Sequence, residues 1–123
     1  PAYLHPQIRM ELSLALQGVI SQRLLPSAVG KGRIPAVEVM VSTPMIKKLL
    51  HEGKTLELSE HIEAGAHVGM QTFNQSLLAL YRAKKVKLDD ALAYATSPDE
   101  FRLMAGGIAT GVRSSEVSGG VYR

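Results

Sequence analysis

The sequence predicts a single α+β domain dominated by helices, with one antiparallel β-hairpin and five or six short helices. A β-branched run at residues 33–41 and a second predicted strand at residues 20–25 flank a turn that contains two glycines, which indicates the hairpin. Periodic apolar segments with start and stop signals fill most of the remaining chain and indicate the helices. We expect residues 1–105 to fold, and residues 106–123, rich in Gly, Ser and Thr, to form a flexible tail.

Composition limits the classes of function. With 123 residues and 46% hydrophobic content, the chain can bury one sizeable core. The net charge of +3 allows an acidic partner without requiring one. Because there are no cysteines, disulfides and thiolate metal sites are excluded. No apolar run approaches the ~20 residues needed to cross a bilayer, so we predict no membrane insertion. The start at Pro1, without an initiator Met, is expected for a piece of a longer protein, and N-terminal processing or an engineered start would give the same sequence.

The first third of the chain predicts a helix followed by the hairpin. Residues 6–17 form the helix, and strands are expected at residues 20–25 and 33–41 around a turn at residues 27–32. Pro35 cannot donate to a ladder and is expected near a strand start or edge. The predicted apolar stripe of the helix is Ile8, Leu12, Ala15 and Leu16.

Residues 43–52 carry the clearest helix signals. Thr43 is expected to cap the N-terminus, Pro44 suits the first helical position, and Gly53 is expected to close the helix in the left-handed conformation. The apolar stripe between these signals consists of Ile46, Leu49 and Leu50.

Four further helices or helix starts are predicted. Ser59 is expected to cap a short helix that runs through Ala64. Thr72 and Gln75 form a capping box ahead of a longer helix. Residues 88–95 form another short helix, and Ser97 is expected to cap the last one. The expected buried side of the longer helix is Phe73, Leu77, Leu80 and Tyr81, and that of the last helix is Phe101, Met104 and Ala105.

The sequence contains no recognisable catalytic, nucleotide-binding or metal-binding motif. No G-x-x-x-x-G-K-S/T loop occurs, and the Gly-Lys-Gly at residues 30–32 is interpreted as a hairpin turn. Ser114 and Ser115 lack a positioned base. The histidines lack the spacing of metal ligands. Two pairs of carboxylates close in sequence are interpreted as helix caps or solvated faces. These residues are His5, His51, His61 and His67, and the pairs Glu60/Glu63 and Asp89/Asp90.

A basic run follows the longer helix, where cations suit the helix dipole. It consists of Arg82, Lys84, Lys85 and Lys87. Nucleic-acid binding is the functional alternative, but an aromatic content of 5% is low for a base-stacking surface. We therefore predict no nucleic-acid partner.

Several blocks, in order and spacing, resemble the C-terminal end of the twitching-motility (retraction) ATPases of type IV pili, the PilT/PilU branch of the secretion ATPases. The resemblance covers about residues 1–105. The blocks are Pro6-Gln7-Ile8-Arg9, residues 12–26, Gly30-Lys31-Gly32-Arg33, Val37-Glu38-Val39, Thr43-Pro44, Glu52-Gly53-Lys54 and residues 69–77.

The resemblance implies the C-terminal end of a RecA-like domain with appended helices, taken from a cytoplasmic, homo-hexameric motor that acts at the inner membrane. In that family the Walker A, Walker B, aspartate-box and histidine-box residues precede the region matched here. The resemblance thus implies that this fragment binds no cofactor, that its parent uses ATP and Mg, and that a membrane protein at the pilus base is a partner.

Family members carry a helical motif, AIRNLIRE, linked to retraction. The residues at its place are Met45, Ile46, Lys47, Lys48, Leu49, Leu50, His51 and Glu52. Ile46, Leu49 and Glu52 match, and Leu50 is a conservative change. The resemblance makes this segment the candidate motor or partner motif, with Lys and His replacing the two arginines, which are not equivalent to them.

Three functions stay open at this point. The first is a fragment of a retraction ATPase, or of an accessory paralogue. The second is a stand-alone or regulatory interaction module of the pilus machinery. The third is a pilus-extension or type II secretion ATPase, which the absence of a tetracysteine zinc element disfavours.

Overall fold

The computed structural model describes residues 1–106, which form six α-helices and one two-stranded antiparallel sheet. The predicted fold class is confirmed. Of the predicted tail, residues 107–123 lie outside the described residues. A 3-10 turn over Ala2–Leu4 comes first. The remaining elements are α1 (His5–Ala15), β1 (Gly18–Pro26), β2 (Arg33–Val41), α2 (Pro44–Glu52), α3 (Thr55–Glu63), a 3-10 turn (Ala66–Val68), α4 (Phe73–Arg82), α5 (Leu88–Tyr94) and α6 (Pro98–Ala105).

The hairpin pairs its strands in the register that joins Gly18 to Val41 and Pro26 to Arg33. Both turn glycines have positive φ, at 152° for Gly30 and 104° for Gly32, as the sequence predicts. One face of the hairpin is buried through Leu25, Ala36 and Met40. On the opposite face the side chain of Ile20 is 76% exposed and that of Leu24 is 46% exposed.

Two core clusters cover the buried face, one at each end of the hairpin. The first joins β1 and β2 to α4, α5 and α6, with Leu77, Ala91 and Phe101 fully buried. The second joins β2 to α2 and α3 through Met40, Ile46, Ile62 and Met70. A helix-dominant domain thus forms around a hairpin that could not be stable alone in water.

The outer edge of β2 is closed by α4 and by Gln71, two residues before that helix. Gln71 forms an isolated bridge with Val39, and its side-chain Nε2 donates to the carbonyl of Val37 at 2.7 Å. The Ser76 hydroxyl accepts from the amide of Val37 at 3.0 Å. Glu38 reaches from the strand to accept the Phe73 amide at 3.2 Å, which places a carboxylate at the N-terminus of α4.

Three expectations for the helices are wrong. α1 ends at Ala15, and its predicted stripe is not buried, because no described element covers Ile8 or Leu12, which are 46% and 45% exposed. α3 begins at Thr55 rather than after Ser59, which lies inside the helix. Ser97 makes no side-chain capping bond, although Pro98 does open α6.

Candidate functional site

The predicted motif forms α2, and its ends follow the sequence signals. The Thr43 hydroxyl accepts from the amide of Ile46 at 3.3 Å. Gly53 adopts φ 69°, and its amide and that of Lys54 satisfy the last carbonyls of the helix. Local bonds fix both ends of the helix. Which motif residues reach the surface then depends on which side of the helix faces the core.

The eight motif residues divide into an inner and an outer group. Ile46 and Leu49 are buried, at 0% and 2% exposure, and Leu50 packs partly against the same cluster. The outer group is exposed, except for a half-buried Lys47. It comprises Met45, Lys47, Lys48, His51 and Glu52. The structure therefore separates residues that hold the helix in place from residues available to a partner.

A groove of about 320 Å³ lies between α1 and the outer face of α2. Ser13 and Leu14 line it from α1; the α2 lining is Lys47, Lys48, His51 and Glu52. Ser13 is buried and its hydroxyl donates to the Met10 carbonyl at 2.6 Å, whereas Leu14 is 70% exposed. The groove thus offers an apolar side chain beside two lysines, a combination that suits an acidic protein segment with an apolar anchor.

Charge on this face is positive because the acid at the helix end is already paired. Glu52 lies 3.1 Å from the Lys54 Nζ. This hydrogen bond raises the pKa of Lys54 above its ordinary value, and attraction by Glu52 and Glu57 adds to the effect. Within residues 1–106, neither Lys47 nor Lys48 lies within ion-pair distance of a carboxylate.

Two residues that contribute to this face were not predicted from the sequence. Arg9 of α1 places its guanidinium against Gly53, and Leu14 of α1 lines the groove. Neither residue belongs to the motif. Because both contacts are tertiary, only the packing of α1 on α2 reveals them.

The described residues do not form the other kinds of site that the sequence raised. Within the described part of the chain, no cluster of three His, Cys, Asp or Glu side chains is suitable for a metal ion. No helix among these residues is long and apolar enough to cross a membrane. The sequence contains no P-loop motif, and no step of ATP hydrolysis is assigned to the residues that the structure describes.

No family model matches the chain, but individual proteins do. It is 40% identical over 104 residues, or 85% of its length, to the type IV pilus ATPase PilU of Pseudomonas aeruginosa. It is 36% identical over 101 residues, or 82% of its length, to the type IV pilus retraction ATPase PilT of the same organism. This chain is a homologue of the C-terminal part of the type IV pilus ATPases.

A twitching motility protein of Neisseria gonorrhoeae is 37% identical over 67% of the chain. The fold agrees with these pilus ATPase relatives. A crystal structure of the pilus retraction motor PilT with bound ADP superposes with a TM-score of 0.70 at 36% identity and covers 81% of the chain. The Legionella pneumophila ATPase DotB, at 15% identity and a TM-score of 0.52 over 82% of the chain, shows the fold alone. The chain spans about a quarter of its relatives' length: 27% of PilU, 29% of PilT in the sequence comparison and 27% of the PilT structure.

Proposed function

We propose that this chain is the C-terminal part of a motor ATPase that powers type IV pilus retraction. The observation that carries the proposal is the 40% and 36% identity to PilU and PilT over more than four-fifths of the chain. An accessory paralogue of the retraction motor is the second candidate, favoured by the higher identity to PilU.

In this proposal, residues 1–105 complete the folded ATPase domain. ATP and Mg bind to parts of the parent protein that carry a P-loop and Walker B acids. The parent assembles as a homo-hexamer in the cytoplasm, at the inner face of the membrane that holds the pilus base.

The outer face of α2 is the proposed contact for a neighbouring subunit or a pilus-base protein. Ile46 and Leu49 couple the helix to the core, so a rigid-body motion of the domain moves Lys48 and His51 with it. This division of one helix supports a role in transmitting motion, because the contact residues can change without loss of the fold.

The coding sequence upstream of Pro1 tests the proposal. We expect the same reading frame to contain G-x-x-x-x-G-K-S/T followed by Walker B acids. A frame that begins near Pro1 without these motifs would contradict a motor role. It would favour the stand-alone interaction module instead.

A further inference from the structure

Two neighbouring turns, together with one residue beside each, carry six cations. The first is the β1–β2 turn with Arg33, the first residue of β2, and the second is the α4–α5 turn with Arg82, the last residue of α4. The other four cations are Lys31, Lys84, Lys85 and Lys87. All six are exposed. We call this surface the basic end. Sequence spacing shows only four of these residues together, and the fold adds the two from the hairpin.

One backbone hydrogen bond joins the two turns, and each turn is closed by a bond of its own. The amide of Ala28, in the hairpin turn, donates to the carbonyl of Lys85 at 2.8 Å. The hairpin turn is closed by a bond from the Ser27 amide to the Gly32 carbonyl at 3.0 Å. In the other turn Lys84 adopts φ 59°, and the amide of Lys85 returns to the Leu80 carbonyl at 2.9 Å. The cations are therefore presented on a fixed backbone.

The positive charge of the basic end is not neutralised by nearby groups. Over residues 1–106, the ion pairs involve only Lys54 and Arg102, both outside this surface. Neither turn segment, 27–33 or 82–88, contains an acidic residue, and the nearest acids in sequence are Asp89 and Asp90 at the start of α5. Six cations less these two carboxylates leave four positive charges, one more than the net +3 of the whole chain.

An apolar side chain projects from the same surface. Val29, between Ala28 and Gly30 at the hairpin turn, is 74% exposed. An apolar tip surrounded by cations suits the boundary between lipid headgroups and acyl chains. Four of the six cations are lysines, which act as point charges and suit a diffuse anionic surface better than bidentate recognition. Neither turn segment has an aromatic residue on which nucleic-acid bases could stack.

We propose that the basic end docks onto anionic phospholipid headgroups, with Val29 entering the interface. The surface is separate from the α1–α2 groove. The inference rests on the proposed location at the inner face of the membrane, but lipid binding is measured on this chain alone, without motility.

The test is co-sedimentation of the chain with vesicles of phosphatidylcholine mixed with phosphatidylglycerol, and with vesicles of phosphatidylcholine alone. We expect binding only to the anionic vesicles, and its loss at high salt. Each cation near an anionic surface contributes about fivefold to partitioning. The triple variant K31Q/K85Q/K87Q should therefore bind at least about tenfold more weakly. Lys84 is left unchanged because of its positive φ.

The matched control is K47Q/K48Q/K54Q, which also removes three positive charges, but from α2 and its C-terminal end. We expect its partitioning to stay within about twofold of the unchanged chain. An equal loss in both triple variants, or no binding of the unchanged chain to anionic vesicles, would overturn the proposal.

Val29→Ser distinguishes docking onto a membrane from binding to other polyanions. We expect it to weaken binding to anionic vesicles about threefold or more, because less apolar area enters the interface. Retention of the chain on a heparin column should not change. If V29S binds vesicles as well as the unchanged chain, and an oligonucleotide binds with the same lysine dependence, the surface serves nucleic acid and the proposal is wrong.

Discussion

The guanidinium of Arg9 occupies the space beside Gly53 that a side chain would need. An ideal Cβ on Gly53 would lie 2.9 Å from the Arg9 Cζ and Nε. Gly53 itself has φ 69° and closes α2 at its C-terminus. A cation placed there also suits the negative end of the helix dipole. The contact therefore connects α1 to the end of the candidate motif.

Gly53→Ala should destabilise the domain through two separable effects. The left-handed conformation disfavours an L side chain by about 1 kcal/mol. The Arg9 guanidinium, which is the far end of a flexible and exposed side chain, must also shift to make room, and this adds a smaller cost. Gly69→Ala is the matched control, since Gly69 has φ 86° but open space around its Cβ position. We expect G53A to lower the free energy of unfolding, measured in urea, by about 1–2 kcal/mol, and by more than G69A does.

The double variant R9A/G53A isolates the contact. Without the Arg9 side chain, the additional loss of unfolding free energy should disappear. G53A in the R9A background should then lower that free energy by about as much as G69A does alone. If G53A and G69A are equally destabilising in the unchanged background, the close approach of Arg9 has no energetic effect.

Leu49 tests the buried side of the motif. The residue is 2% exposed, so Leu49→Ala should lower the free energy of unfolding by about 2–5 kcal/mol. Leu56 on α3 is 88% exposed and provides a matched control, with an expected change within about 0.5 kcal/mol for Leu56→Ala. Equal effects of the two substitutions in urea denaturation would show that α2 packs differently.

The capping box of α4 gives a third prediction. The Thr72 hydroxyl accepts from the Gln75 amide at 3.2 Å, and the Gln75 Oε1 accepts from the Thr72 amide at 3.0 Å. Thr72→Ala should therefore reduce the unfolding free energy by about 1 kcal/mol. Ser97→Ala, at a residue without a capping bond, should change it by less than about 0.5 kcal/mol. A larger loss at Ser97 than at Thr72 would contradict this assignment.

Local signals predicted much of the fold because the bonds that satisfy them lie within a few residues. The hairpin, the Thr43 cap, the left-handed Gly53 and the capping box at Thr72 are confirmed. Ser97 makes no capping bond, and the backbone before α6 is held instead by a residue distant in sequence. The buried Asn74 of α4 accepts from the Thr96 amide at 3.0 Å, and its Nδ2 lies 3.4 Å from the Ser97 carbonyl.

Tertiary features were beyond the sequence patterns. Ser59 matches the residue preference of a cap but lies inside α3, because serine is also tolerated within helices and the chain turns into α3 directly after Lys54. The stripe on α1 has the correct period, yet no described element covers it. The groove and the basic end each join residues of two elements, so no single segment predicts them.

The motility of cells that carry single surface variants tests whether α2 contacts a partner. We expect Lys47→Gln and His51→Gln to leave the full-length protein at its normal abundance and to impair twitching. Both side chains line the groove, whereas the stripe residues Ile46 and Leu49 hold the helix. Arg102→Gln, at an exposed cation on α6, is the control and should leave twitching unchanged.

The most direct measurement is therefore the twitching-zone diameter of the K47Q and H51Q strains, with protein abundance measured by immunoblot. We expect smaller zones than in the unchanged and R102Q strains at equal protein abundance. Zones of full size in both K47Q and H51Q strains would contradict a motor role for the outer face of α2.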